Sequence, residues 1–341
     1  MQLRSRSSVR HEVTNELISV DGQQLYVSVR HGDRDPVPLL LINGIGASLE
    51  ALQPFVDAFD ESTTVIRFDP PGIGGSPLPR RPYRFSGLSK LIAGLLSHLG
   101  YESADVLGIS WGGGVAQHFA AFQPERCRRL ILVSTATGTI MVPARPGVLA
   151  RMATPRRFTD VGYLGQSAAS LYGGSARTDP ELAITHLNEN NRSASPRGYL
   201  YQLAASAGWT SLPFLPFLRQ PTLIMSGDDD PIIPLANAHL MHRLIPDSRL
   251  HVFGGGHLAL ITEAAELAPV VEGFRHEESA PGSRPRRFRH WPATLGPQPR
   301  ERELRRRARE LRRRARGLRR RARELRRRAR ELRRRARPPV L

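Results

Sequence analysis

Short apolar runs separated by longer amphipathic stretches constrain this chain more than any other feature it has. Residues 38–42, 64–68, 104–109, 130–134, 221–226 and 249–253 read as strands, and between several of them residues 88–99, 113–122 and 236–244 read as helices. Alternation of this kind predicts a mostly parallel sheet with helices on both faces. Two leading runs, 12–20 and 24–30, are split by Asp21-Gly22 and predict an antiparallel hairpin at the sheet edge. From about 136 to 217 the rhythm breaks. That stretch has no convincing strand, several prolines, and aromatic residues including Tyr163, Tyr172, Tyr199, Trp209 and Phe214, which predicts a helical cap inserted over the sheet. The expected organisation is a core built from 1–135 and 218–276 with the cap at 136–217.

After residue 275 the composition turns to Pro, Gly, Ser and Arg, so 277–302 reads as a linker. Over 303–337 the unit Glu-Leu-Arg-Arg-Arg-Ala-Arg recurs five times, with Gly317 replacing Glu once. Leu304, Ala308, Leu311 and Ala315 fall at 4-3 spacing, so a helix would align them in one stripe. Arginine at four of every seven positions opposes that helix by self-repulsion, and 303–341 is expected to be a disordered tail. The tail also explains the charge. A net charge of +19 would point to a nucleic acid or a membrane surface. Residues 277–341 hold 26 Arg and 7 Glu, which accounts for all of it and leaves 24 basic against 24 acidic residues in 1–276. The body is thus a neutral globule, and any polyanion contact belongs to the tail. A repeat expanded at the DNA level, or a misplaced reading frame, is the competing explanation, and the perfection of the repeat favours it.

No apolar run is long enough to span a bilayer, and residues 1–13 lack the apolar core of a signal peptide, so a cytoplasmic protein is expected. Cys127 is the only cysteine, which excludes an internal disulfide or a multi-cysteine metal site and reads as a buried, inert thiol.

Chemistry enters at Gly108-Ile-Ser-Trp-Gly112, which follows an apolar strand and opens a helix-like run. That is the setting of the G-x-S-x-G nucleophile elbow in an α/β-hydrolase, where small residues permit the tight turn that lifts the serine above the sheet. Ser110 is therefore the candidate nucleophile. An oxyanion hole needs two backbone N–H groups, one from the residue after the nucleophile, Trp111, and one from the loop after an earlier strand. Asn43-Gly-Ile-Gly-Ala47 occupies that place, and Ile45 is the candidate partner. The loop from Asp69 to Ser76 is given a structural part at the rim. Chain order in this fold is nucleophile, acid, histidine. Gly227-Asp-Asp-Asp-Pro231 offers three carboxylates, of which Asp230 is preferred over Asp228 because Pro231 biases it towards an extended conformation. Among eleven histidines, His257 alone sits in a glycine loop directly after the last strand, where a base could reach back to Ser110.

These segments resemble the intracellular medium-chain-length polyhydroxyalkanoate depolymerases. The resemblance runs from about Ile18 to Glu272 and is carried by the Asn43, Asp69, Gly108 and Gly227 loops, by Pro79-Arg-Arg-Pro-Tyr-Arg-Phe85, and by the cap motifs Met141-Val-Pro, Tyr172-Gly-Gly and Gly208-Trp-Thr-Ser. It implies a Ser110, Asp230 and His257 triad, no metal or organic cofactor, and a polyester granule surface as partner. It implies nothing about the arginine repeats. A small-molecule esterase or carbon–carbon bond hydrolase is the nearest rival, and a polyanion-binding protein with a scaffold hydrolase domain is the rival of another class. Dehalogenases and epoxide hydrolases place Asp at the elbow, so Ser110 disfavours them.

Overall fold

Each apolar run of the sequence becomes a strand of one sheet. A computed structural model describes residues 12–33, 36–153, 156, 160–181, 185 and 195–277. Its strands are β1 (Val13–Val20), β2 (Gln23–Arg30), β3 (Leu39–Ile42), β4 (Val65–Phe68), β5 (Ala104–Ile109), β6 (Cys127–Val133), β7 (Thr222–Gly227) and β8 (Ser248–Phe253). They lie in the order β1-β2-β4-β3-β5-β6-β7-β8. The hairpin β1–β2 and its junction with β4 are antiparallel, and the remaining pairings are parallel. The expected linker and arginine-repeat tail lie outside the described residues, apart from Glu277.

Around the sheet stand α1 (Gln53–Asp57), α2 (Phe85–His98), α3 (Trp111–Phe122), α4 (Pro146–Met152), α5 (Val161–Tyr172), α6 (Ser175–Thr178), α7 (Pro196–Ser206), α8 (Ala236–Leu244), α9 (Ala259–Thr262) and α10 (Ala264–His276). Successive strand residues point to opposite faces, so the central strands feed two cores. Leu40, Ile42, Val106, Leu130, Leu132 and Ile224 join the core that contains Leu88 and Ile92 of α2, Val115 and Phe119 of α3 and Met241 of α8. Leu39, Leu41, Leu107, Ile131, Val133 and Met225 join the other, with Phe55 of α1, Leu260 of α9, Val271 of α10 and Leu164 of α5. Full burial of one such side chain contributes about 2 kcal/mol. This two-sided burial is why the strands read as continuous apolar runs rather than alternating ones. Helices α4 to α7 lie between β6 and β7 and form the inserted cap.

Two boundaries move by three residues from the sequence expectation, both for reasons of tertiary contact. Helix α2 begins at Phe85 rather than 88, because Phe85 is buried edge-on against Trp111 and Trp209, with ring centroids 5.2 and 4.8 Å away. Strand β6 begins at Cys127 rather than 130, since the polar Arg128 and Arg129 both find partners. The β5–β6 register slips between Ala104 and Asp105, leaving Arg128 as the extra residue of a bulge. Arg128 Nε donates to Asp105 at 2.7 Å, and Arg275 Nε of α10 donates to the same carboxylate at 2.9 Å. Arg129 lies over the Phe274 ring, 5.3 Å from its centroid. Cys127 is buried, and burial pushes its thiol pKa well up, which keeps the thiol protonated.

The strand order reverses at β3, whose neighbours β4 and β5 lead the chain to opposite edges of the sheet. A crevice opens at the carboxyl ends of the strands at such a point. It sets the loop after β3 beside the turn after β5.

Candidate active site

Ser110 follows β5 and caps α3 with φ 53° and ψ −118°, outside the regions an L-residue ordinarily occupies. A residue held there stores roughly 1–3 kcal/mol of strain, so its surroundings must hold it. They do so through the end of β6. Ser110 N–H donates to Val133 O at 3.0 Å, and Thr135 Oγ1 donates to Ser110 O at 2.7 Å. The turn also needs glycine on both sides. A Cβ at 112 would stand 2.1 Å from Ile42 O, and one at 108 would stand 2.4 Å from Gly112 O.

The three consecutive aspartates after β7 are sorted by their partners. Asp228 accepts a hydrogen bond from Gly255 N–H at 3.1 Å and so ties its loop to the histidine loop. Asp229 faces the cap, accepting from Arg177 Nε at 2.5 Å, Arg177 Nη2 at 2.9 Å and Gly174 N–H at 2.8 Å. The Arg177 bonds hold its carboxyl below the usual range. Asp230 turns inward. Its Oδ1 accepts from Ile232 and Ile233 N–H, both at 2.9 Å, and its Oδ2 lies 2.8 Å from Nδ1 of His257. Asp230 and His257 are each 6% exposed. With Nδ1–H donating to the carboxylate, His257 Nε2 is left as the basic nitrogen.

Ser110 and His257 line one cleft, of about 510 Å³ including space open to solvent, together with Ile45, Leu52, Met152, Ile232, Leu258 and Ile261. In the loop after β3, Gly44 N–H donates to Asn43 Oδ1 at 2.8 Å, Gly46 N–H to Gln202 Oε1 at 2.7 Å and Ala47 N–H to Gly44 O at 3.3 Å. Among the described residues nothing accepts from Ile45 N–H. The same holds for Trp111 N–H, which opens α3 and lies at the positive end of its dipole. Ile45 lines the cleft that Ser110 enters, and Trp111 follows Ser110 directly in the chain.

The cap is fastened to these loops. His257 N–H donates to Tyr172 O at 2.7 Å, and a Cβ on Gly173 would stand 1.9 Å from Asp229 O, so the Tyr172-Gly-Gly motif packs directly on the acid and histidine loops. Trp209 Nε1 donates to His118 Nδ1 of α3 at 3.3 Å, and burial pushes the pKa of His118 down to about 4.

Sequence reasoning missed Gln202, Met152 and Arg177. Each is a cap residue whose role depends on a contact with a distant loop, and a lone Gln or Arg on a helix reads as a solvated residue. Asp69 keeps a structural part: its side chain accepts from Leu49 and Gly75 N–H, each at 2.7 Å. No helix among the described residues is long and apolar enough to cross a membrane.

Residues 37–264 match the family described as the alpha/beta hydrolase fold. A poly(3-hydroxyalkanoate) depolymerase of Ectopseudomonas oleovorans is 48% identical over 261 residues, covering 76% of this chain and 92% of that protein. A 2-hydroxymuconate semialdehyde hydrolase of Pseudomonas putida is 30% identical over 272 residues, 73% of this chain and 91% of its own. Among solved structures, the enol-lactonase of Burkholderia xenovorans superposes with a TM-score of 0.66 at 22% identity, over 77% of this chain and all of that one.

Proposed function

The chain belongs to the alpha/beta hydrolase family, on the branch of the poly(3-hydroxyalkanoate) depolymerases, and from that premise we propose that Ser110, His257 and Asp230 hydrolyse the ester bonds of such a polyester. The observation that carries the assignment is the strained Ser110 sharing an apolar cleft with His257, whose Nδ1 is held 2.8 Å from a buried carboxylate.

Ser110 Oγ attacks the ester carbonyl while His257 Nε2 takes its proton, and Asp230 orients and stabilises the resulting imidazolium. The tetrahedral oxyanion is held by Ile45 and Trp111 N–H. His257 returns the proton to the departing hydroxyl of the next polymer unit, which leaves a 3-hydroxyacyl ester on Ser110. Water, deprotonated by the same nitrogen, then releases the hydroxy acid and restores the serine. These residues supply the acid, the base and the nucleophile, so the cycle calls for no cofactor.

The side chain of the polyester unit is assigned to the apolar wall made by Leu52, Met152, Ile232 and Ile261. A 3-hydroxyoctanoate unit carries four more methylenes than 3-hydroxybutyrate, and at about 0.8 kcal/mol each their burial is worth roughly 3 kcal/mol, or about a hundredfold. Medium-chain-length polyester is therefore the preferred substrate, and its granule surface in the cytoplasm is the place of action. The arginine repeats take no part in the hydrolysis; any contact they make is with a polyanion.

Amorphous poly(3-hydroxyoctanoate) and poly(3-hydroxybutyrate), compared at matched surface area, test this reading. Release of 3-hydroxyoctanoate at about a hundred times the rate of 3-hydroxybutyrate is expected. Equal rates would remove the chain-length preference. Turnover of p-nitrophenyl octanoate with no release from either polymer would leave a small-molecule esterase.

A further inference from the structure

Gln202 lies on α7 of the cap and is fully buried, yet it lines no part of the cleft. Its contacts fall on both sides of the oxyanion hole. Gln202 Oε1 accepts from Gly46 N–H at 2.7 Å, and Gln202 main-chain O accepts from the indole N–H of Trp111 at 3.0 Å. Its side-chain Nε2 is buried with no hydrogen-bond partner among the described residues. The fold therefore uses the acceptor half of this amide and leaves the donor half idle, which is a costly arrangement unless the acceptor matters.

What the acceptor holds is the peptide next to Ile45. Gly46 has φ +75°, and with no side chain its peptide can rotate at little steric cost. Gly44 N–H is already fixed on Asn43 Oδ1 at 2.8 Å. With Gly46 N–H fixed as well, the Ile45 N–H between them has one direction. If the acceptor is lost, a buried Gly46 N–H must find another partner, and the peptide turns to do so. On the other flank, the indole bond holds Trp111, whose main-chain N–H is the second donor.

We propose that Gln202 is a positioning residue for the oxyanion hole, so that docking of α7 completes the hole and couples the cap to turnover. Because an oxyanion exists only after attack, the coupling acts on the transition state and not on substrate binding. The proposal rests on the hydrolase reading above.

The test uses the full chain with Gln202→Leu, Gln202→Asn and Gln202→Glu. Leucine removes the acceptor, asparagine shortens it out of reach of Gly46, and glutamate keeps an oxygen at the same place. On p-nitrophenyl octanoate, Gln202→Leu and Gln202→Asn should lose about 10- to 100-fold in kcat with KM changed less than about threefold. An alkyl trifluoromethyl ketone, whose serine adduct places an oxyanion in the hole, should bind more weakly by the same factor. Gln202→Glu should recover most of both losses. Folded Leu and Asn variants with wild-type kcat, or with lost kcat but unchanged ketone affinity, overturn the proposal. So does failure of both variants to fold, because Gln202 would then be a residue of stability alone. A wild-type protein that takes no label from a fluorophosphonate sinks the hydrolase reading itself, which separates that failure from the failure of the inference.

Discussion

Two buried aspartates stand at opposite ends of the sheet, and their side chains are equally hidden from solvent. Asp105, near the start of β5, faces the guanidinium groups of Arg128 and Arg275. Asp230, beyond the end of β7, faces one imidazole and two main-chain N–H groups. The Asp105 cluster joins β5, β6 and α10 through guanidinium donors. The Asp230 pair includes an imidazole that lines a cleft. Burial alone thus says nothing of function; the chemistry of the partner divides a structural carboxylate from the one proposed as catalytic.

That division breaks most visibly at the group Asp230 serves. Ser110→Ala should lower ester turnover by on the order of a millionfold, with the melting temperature little changed. Activity above a few per cent in the folded variant would move the nucleophile elsewhere. The two aspartates themselves should then part company. Asp230→Asn is expected to cost on the order of ten-thousandfold in kcat, since the imidazole loses its orienting partner. Asp105→Asn should leave kcat of the folded protein near wild type and cost about 3–5 kcal/mol in urea unfolding, because the buried Arg275 loses the Asp105 charge beside it. A larger kcat loss for Asp228→Asn than for Asp230→Asn would reassign the acid.

The same division explains what the sequence discloses. Strands buried on two faces announce themselves by composition, and Ser110, Asp230 and His257 each sit in a loop that directly follows one, so local pattern placed them where the structure brings them together. Asp105 and Arg275 are 170 residues apart, and Arg129 reads as a reason to end a strand until Phe274 covers it. Gln202 is 156 residues from the glycine it holds. Contacts of this range leave no periodicity, and neither propensity nor motif can report them.

A third polar centre, half-buried, sharpens the comparison, because it has an imidazole but, among the described residues, no carboxylate against it. His118 accepts the indole N–H of Trp209 and faces Phe122 and Phe214, and burial pushes its pKa from 6.5 down to about 4. A histidine whose folded pKa lies below its unfolded one contributes stability that is present above the unfolded value and lost as pH falls towards the folded value. Between about pH 6.5 and 4 the protein should therefore lose stability. The full shift would be worth about 3 kcal/mol, and partial exposure reduces it to about 1–2 kcal/mol. Urea midpoints of wild type and His118→Gln measured across that range should converge towards acid pH, and parallel curves would show that His118 does not titrate this way.

The smallest effect is expected at Asp229, the aspartate adjacent to the catalytic candidate. It carries the most conspicuous ion pair of the acid loop, two hydrogen bonds from Arg177, and both side chains are more than 40% exposed. A solvated pair of this kind contributes at most about 1 kcal/mol. The cap is also fastened here by main-chain N–H donors that Arg177→Ala leaves in place, His257 N–H to Tyr172 O and Gly174 N–H to the side-chain Oδ2 of Asp229. Arg177→Ala should therefore change kcat less than about threefold and lower stability by less than about 1 kcal/mol, a difference that shrinks further in 1 M salt. A kcat loss above tenfold in a variant of unchanged melting temperature would mean that Asp230 is aimed through its neighbour's salt bridge. The exposed carboxylate would then belong to the catalytic apparatus, and the rule that the directly bonded partner decides a carboxylate's role would fail within a single loop.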